Sequence, residues 1–477
     1  MLMNSIIKIP LLLSCLLFLS CSSPSPPINV ILISVDTLRP DHLHCYGYSR
    51  NTSPNIDRLA NRGTLFKRTV STTTWTLPAH MALFTSLYDS VHGVKTGNTR
   101  LDLERTTLSE VFKEHGYATA AFVSGPYLNR HFGFNQGFDQ YQDLTDAQIP
   151  AELMFQEDAL SGETLKDFIE GKQKANRAAH RSITSPIVTE AVLKWFETME
   201  QPFFLFVHYF DVHYDFIPPG KYATLFDPEY DGEISGENFI RNPMVQPGMP
   251  QEDLNHILAL YDGEIAFTDY HIGLLLDDIE ERGLSNNTLI VLTSDHGEEF
   301  FEHGVKGHQL NLYEQTLRIP LLFSLPGRVQ QGREIANLVR IIDVGPTILE
   351  LADLSVPPEM MGRSLTPFLF GRMRGPAPPA FCELKTARKD LYGLRGEGWK
   401  VLYNKKNRRW EFYRFGAKHG EARSSRLPVP DRFREKLLDD LRTYKQMGNT
   451  LPRKDHQRSA DLPPGLRRKL KDLGYIN

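Results

Sequence analysis

Apolar residues gather in unbroken blocks along this chain, and the blocks recur at intervals with amphipathic stretches between them. Asn29-Val30-Ile31-Leu32-Ile33-Ser34-Val35 is nearly continuous, the pattern of a strand buried on both faces of a mostly parallel sheet. Ala118 to Val123, Pro202 to Phe210 and Thr288 to Thr293 repeat it. Pro54 to Gly63, apolar at Ile56, Leu59 and Ala60, predicts a helix with Gly63 as its C-terminal stop. Tyr261 to Arg282, apolar at Ile265, Ile272, Leu275, Leu276 and Ile279, predicts a second helix. Met81, Ala82, Leu83 and Phe84 form the buried part of another, whose first turn carries Thr76 to Ala79. This alternation of strand and helix predicts an α/β fold, a large mostly parallel sheet flanked by helices.

Two stretches depart from the pattern. Asp143 to Arg181 is polar and helical in texture and reads as an insertion or cover. Past Pro367, Gly398 to Tyr403 and Trp410 to Tyr413 predict a small C-terminal antiparallel α+β subdomain, divided from the rest near Gly375-Pro376-Ala377-Pro378-Pro379. At the other end, an apolar run from Ile6 to Leu19 is too short for a comfortable bilayer span and right for a signal-peptide core. Phe18-Leu19-Ser20-Cys21, followed by a Ser/Pro segment, resembles a bacterial lipoprotein signal. Leu13-Ser14-Cys15 is a weaker match, and an ordinary secretory signal is the alternative. The expected division is therefore a signal at 1–20, a tether at 21–28, a catalytic domain at 29–375 and a basic subdomain at 376–477. Either kind of signal exports the protein, to the bacterial periplasm or outer membrane with a lipid on Cys21, or as a secreted protein.

Composition adds little except at the tail. With 477 residues, 41% of them hydrophobic, the chain can bury a large core. A net charge of -4 over that length argues against nucleic acid as a partner. From Lys385 onward, however, there are 25 Lys and Arg against 11 Asp and Glu, either a solvated face or a site for anionic polymers or lipids. With Cys15 and Cys21 in the signal, Cys45 and Cys382 remain and form no disulfide framework.

The chemistry-bearing residues stand where the apolar runs stop. Asp36 follows the first strand, Asp211 and His213 the third, Asp295 and His296 the fourth. Asp36 and Thr37 are also good helix caps. In one parallel sheet these strand ends converge on one crevice, with oxygen and imidazole donors suited to a divalent cation. Thr76, at the start of its helix, would present a hydroxyl to the positive end of the helix dipole.

Ser34-Val35-Asp36-Thr37-Leu38-Arg39, Cys45-Tyr46-Gly47, Pro54-Asn55-Ile56-Asp57, Thr76-Leu77-Pro78-Ala79-His80, Ser294-Asp295-His296-Gly297-Glu298 and Asp343-Val344-Gly345-Pro346-Thr347 together resemble the sulfatase family of the alkaline phosphatase superfamily, from about Asn29 to Leu369. The resemblance implies a divalent cation (Ca, Mn or Zn) on Asp36, Asp295 and His296, with Thr37 as a further ligand and Thr76 as nucleophile and ligand. It implies His213 and His80 at the substrate, His308 as the group that protonates the leaving oxygen, and His303 as a lesser candidate. Asp211 and Asp215 are the candidates for a second metal. Three departures qualify it. The family carries Cys or Ser, oxidised to formylglycine, where this chain has Thr76. His80 stands for the signature arginine. Ser124-Gly125 stands where a lysine follows the Ala118 to Val123 strand. A threonine cannot become that aldehyde, yet its alkoxide beside a metal is a sensible nucleophile. The expectation is an exported, metal-dependent hydrolase of sulfate or phosphate esters. A phospho-group transferase acting on envelope glycan or lipid, or an inactive binding protein of the same fold, is the alternative.

Overall fold

The computed structural model describes residues 26–145, 183–372, 375, 377–415, 428–452 and 462–472. The expected signal with Cys21, nearly all of the polar 143–181 stretch and the C-terminal Leu473 to Ile476 lie outside the described residues.

The strands of the main sheet are β1 (Asn29–Val35), β2 (Thr64–Val70), β3 (Ala118–Val123), β4 (Gln140–Asp143), β5 (Phe203–Tyr209) and β6 (Thr288–Thr293). A two-stranded ribbon, β7 (Glu299–Phe300) with β8 (Lys306–Gly307), follows. Then come β9 (Arg318–Ile319), β10 (Leu321–Ser324) and β11 (Arg333–Arg340), which return to the sheet. The strand order is β11-β2-β10-β6-β1-β5-β3-β4, with β9 paired to β2. β10 and β9 run against their neighbours and the other pairs are parallel. The four apolar runs are thus β1, β3, β5 and β6. Alternate residues of each enter different cores: Val30, Leu32, Phe204 and Phe206 on one face, Ile31, Ile33, Leu205 and Val207 on the other. Burial on both faces is what removed polar alternation from the sequence.

Two helix boundaries differ from the sequence pattern. The long helix spans Gln251–Glu281, ten residues longer at its start than the apolar pattern indicated. Pro250 precedes it and Glu252 and Asp253 in its first turn suit the dipole. Gly63 follows the Pro54–Asn61 helix, and its reason is close approach: a Cβ there would meet Phe323 O of β10 at 2.3 Å. No helix among the described residues is long and apolar enough to cross a membrane.

The expected break near residue 375 falls just ahead of β12 (Ala380–Lys385), β13 (Asp390–Gly396), β14 (Trp399–Asn404) and β15 (Arg409–Arg414), an antiparallel sheet in that order. Phe381, Tyr392, Val401 and Phe412 share one core with Leu83, Ile348 and Leu349. Polar ties reinforce the contact. Buried Glu314, ahead of β9, accepts from Arg395 Nη2 at 3.0 Å and pairs with Lys400 Nζ at 3.4 Å. Glu383 accepts from Lys95 Nζ at 2.9 Å. Cys45 and Cys382 form no disulfide.

Candidate functional site

β6, β1 and β5 are adjacent and parallel, so the residues that follow them meet at one edge of the sheet. Asp36, Asp295 and His296, all buried, offer donor atoms within 4.8 Å of one another. The Thr76–Thr85 helix is buried along its whole length and starts here. Thr76 Oγ1 lies 3.4 Å from Asp36 Oδ2 and 3.4 Å from His296 Nε2.

The fit of a cation can be judged from the polar atoms left over. His296 Nδ1 is 2.9 Å from Gly297 O. A carbonyl only accepts, so Nδ1 carries the proton and Nε2 a lone pair. That lone pair stands 3.3 Å from Asp295 Oδ2 and 3.8 Å from Asp36 Oδ1, and both of those oxygens lack a hydrogen-bond donor. Three acceptors face one another in a buried site, an arrangement a divalent cation satisfies. Burial, then the charge of Asp295, pushes the Asp36 carboxyl well above its ordinary range. Burial acts on Asp295 in the same sense, but the imidazoles of His296, His80 and His208 outweigh it and hold that carboxyl low.

Thr37 joins the site through its backbone. Its amide donates to Asp295 Oδ1 at 3.3 Å, whereas its hydroxyl donates to Val212 O at 3.1 Å. At φ 53° it occupies the left-handed region that β-branched residues avoid, and Tyr261 OH donates to its carbonyl at 2.8 Å. His80, expected at the substrate, is instead engaged by the protein at both nitrogens. Nδ1 donates to Thr76 O at 3.0 Å and Nε2 accepts from Ser34 Oγ at 3.0 Å. Burial drives it down to about 3, so it is a neutral brace under the first turn of the Thr76–Thr85 helix.

His213 and His308 are buried, with the His308 ring next to His296 of the cluster. The His308 ring is 4.6 Å from His296 and 5.0 Å from His213, which stacks on Phe210 at 4.6 Å. His308 Nδ1 meets the Glu298 carboxyl at 3.1 Å. Burial pushes His308 down to about 4 and Glu298 well up. His303 pairs with Glu299 at 2.9 Å and stacks on Tyr313, away from these rings.

The third strand end does not contribute its carboxylate. Asp211 accepts from the amides of Thr184 at 2.8 Å and Ser185 at 2.5 Å, capping the Ser185–Phe196 helix. Asp215 accepts from the amides of Asn238 and Phe239 at 2.7 and 2.8 Å. Neither belongs to the cation cluster, so the carboxylates considered for a second metal serve the backbone. β5 contributes a different residue, His208, whose Nε2 is 3.6 Å from Asp36 Oδ2. Its signal in the sequence is an ionisable side chain inside an otherwise apolar strand.

Beside the centre, a cleft of about 360 Å3 opens between the 303–313 segment and the C-terminal sheet. His303 and Tyr313 face Lys389, Leu391, Leu402 and Arg409 across it. Gln309 N donates to Thr74 O at 3.1 Å and Thr74 Oγ1 to Asn311 O at 3.0 Å, so this wall rests on the residues just before Thr76.

The Sulfatase family model matches residues 28–354, and that of the N-sulphoglucosamine sulphohydrolase C-terminal region matches 302–424. Human iduronate 2-sulfatase is 27% identical over 411 residues, covering 71% of this chain and 71% of its own. Among solved structures, the phosphonate monoester hydrolase of Agrobacterium radiobacter superposes with a TM-score of 0.68 at 22% identity, over 88% of this chain and 96% of that one. A protein solved with its substrate D-glucosamine-2-N,6-O-disulfate superposes with a TM-score of 0.68 at 18% identity, over 91% and 100%.

Proposed function

Since the chain belongs to the sulfatase family and is an ester hydrolase, we propose that it is a metal-dependent hydrolase of sulfate or phosphate esters with Thr76 as nucleophile and an anionic glycan as substrate. The observation that carries this reading is Thr76 Oγ1, 3.4 Å from both Asp36 Oδ2 and His296 Nε2 at the start of a buried helix. Asp36, Asp295 and His296 would hold a Ca, Mn or Zn ion. When bound, that ion supplies the positive charge that lowers the pKa of a neighbouring hydroxyl and polarises an ester oxygen.

Thr76 carries a methyl on its hydroxyl carbon, so its oxidation gives a ketone and the formylglycine aldehyde is closed to it. Its oxygen attacks the sulfur or phosphorus directly. Thr76 reacts as its alkoxide, its proton having left to solvent: its bond to sulfur or phosphorus forms, the bond to the departing alcohol oxygen breaks with its electron pair, and His308 gives that oxygen a proton. Water then attacks the same atom and returns one proton to His308, the bond to Thr76 Oγ1 breaks with its electron pair, and the alkoxide is restored. His213 faces the ester's outer oxygens, and the helix N-terminus favours negative charge on Thr76.

A glycan suits the cleft beside the site. Leu391 and Leu402 give it an apolar floor, and Lys389 and Arg409 stand there to meet anionic groups. Asn311 in that wall is three positions along the chain from His308, at most about 11 Å. We place the enzyme in the cell envelope, held by a lipid on Cys21; palmitate labelling that persists in Cys21→Ala would count against this. The function is tested with purified protein, Ca, Mn or Zn, and matched aryl sulfate, phosphate monoester and phosphodiester substrates. Turnover that needs the cation and Thr76 is expected. Turnover surviving Thr76→Ala would falsify the covalent route, and transfer to an added glycan or lipid alcohol in place of water would make the protein a transferase.

A further inference from the structure

One buried group at the centre is left without a role. His208 lies beside Ser34 in the parallel register of β5 and β1 and is fully buried. Its Nδ1 is 2.6 Å from Ser124 O. Since the carbonyl only accepts, Nδ1 holds the proton and Nε2 presents a lone pair. That lone pair has no hydrogen-bond partner and stands 3.6 Å from Asp36 Oδ2. The nearby hydroxyls do not resolve the conflict: Ser34 is bonded to His80, and Thr76 lies against Asp36 and His296. With Asp36 ionised, as cation binding requires, two acceptors face each other in a low dielectric, which is costly unless a positive charge lies between them.

His296 is held in the same way, with Nδ1 on a backbone carbonyl and Nε2 turned to Asp36 and Asp295. Fixing the far nitrogen of a ligating histidine on a carbonyl sets both its tautomer and its ring orientation. Adjacent donors on one cation, with bonds of about 2.0–2.3 Å, stand roughly 3.0–3.8 Å apart, and the His208 to Asp36 spacing falls in that range.

We propose that His208 is a ligand of the cation held by Asp36, Asp295 and His296, giving the site two imidazoles with its two carboxylates. The assignment rests on the metal-dependent reading above and narrows it. Calcium takes oxygen donors almost exclusively, whereas two imidazoles suit a first-row transition ion. Zinc or a similar ion therefore outcompetes calcium here.

Pulsed EPR of the Cu(II)-loaded protein counts coordinated imidazoles directly, and competition titration with Zn(II) and Ca(II) gives affinities without recourse to turnover. Two imidazoles are expected in the wild type and one in His208→Ala and His208→Gln, with Zn(II) affinity lowered at least about tenfold in both variants. Calcium affinity should change less. A single imidazole in the wild type, or unchanged Zn(II) affinity in folded variants, overturns the assignment while leaving the ester hydrolase reading intact. If neither variant folds, the wild-type imidazole count decides alone. A wild type that takes up no divalent ion overturns both.

Discussion

A chain that buries Asp36 and Asp295 together should be measurably more stable with a cation than without one. Two full charges 4.8 Å apart, the outer limit for these donor atoms, repel by about 3.5 kcal/mol at an effective dielectric of about 20. Without the cation the pair avoids this by keeping a proton, and burial with the Asp295 charge holds the Asp36 carboxyl well above its ordinary range. A folded-state pKa above the unfolded one means that the folded protein binds more protons. The Asp36 contribution is therefore fully present below the unfolded pKa and is lost as pH rises through the folded one. The cation reverses that trend, because it requires both carboxylates ionised; its affinity rises with pH and its binding releases a proton. At a free concentration 100-fold above Kd the gain is about 2.7 kcal/mol. With an unfolding entropy of about 2.1 cal/mol/K per residue, that is about 3 °C in Tm for a chain of 477 residues. The assay is calorimetry of chelator-treated protein, then of the same protein titrated with Ca, Mn or Zn at pH 6 and pH 8. Asp36→Asn should remove the increment and leave the chelated protein no less stable than wild type at pH 8. The reasoning is refuted if no cation raises the wild-type Tm, or if Asp36→Asn keeps the full increment.

Three further outcomes follow from single residues. Thr76→Ala should abolish turnover, whereas Thr76→Ser keeps a hydroxyl at the same place and should retain activity within about tenfold; intact-mass measurement with a slow substrate should find the adduct on the wild type and not on the alanine variant. At Glu314, burial raises the carboxyl pKa but Arg395 and Lys400 outweigh it and hold it down to about 2 from 4.5, so its stabilisation is present above pH 4.5 and lost as pH falls towards 2. Glu314→Gln strands two buried cations and should cost about 3 kcal/mol at pH 7 while flattening that acid limb in chemical denaturation. Gly63→Ala places a Cβ against Phe323 O and should cost about 2 kcal/mol or more, read as a lower denaturation midpoint with unchanged cation affinity.

The sheet was legible because its four central strands are buried on both faces, which imposes unbroken apolar runs on any sequence that forms them. The C-terminal sheet was half visible: β14 and β15 carry dense aromatics, while β12 and β13 borrow their burial from the catalytic core through Phe381 and Tyr392. The start of the Gln251–Glu281 helix was missed because its first two turns bury little, whereas Pro250 and the acidic first turn marked it. At the site, the strand-end residues Asp36, Asp295 and His296 come together, whereas Asp211, which follows a strand in the same way, caps a helix. Position alone does not distinguish a ligand from a helix cap; the difference is whether backbone amides already satisfy the carboxylate, as those of Thr184 and Ser185 do. His208 escaped notice because it interrupts a strand where a histidine reads as an ordinary buried residue, and only the orphaned Nε2 marks it.

The departures from the family pattern bear on one another. The expected arginine is His80 and the expected lysine is Ser124, and His208 spans the two, bonded to Ser124 O with its ring 5.0 Å from His80. Burial drives His80 down to about 3 and His208 down to about 4, so at neutral pH both are uncharged. The two fixed positive charges of the family pattern are thus missing, and the imidazoles that stand there are neutral, one bracing the Thr76–Thr85 helix and the other facing Asp36. An anionic ester approaching Thr76 then meets two carboxylates with no buried Lys or Arg of this group to offset them. On the metal-dependent reading proposed above, the charge that makes such a substrate bindable comes from the cation cluster, so that reading predicts that substrate affinity, and not only turnover, follows metal occupancy.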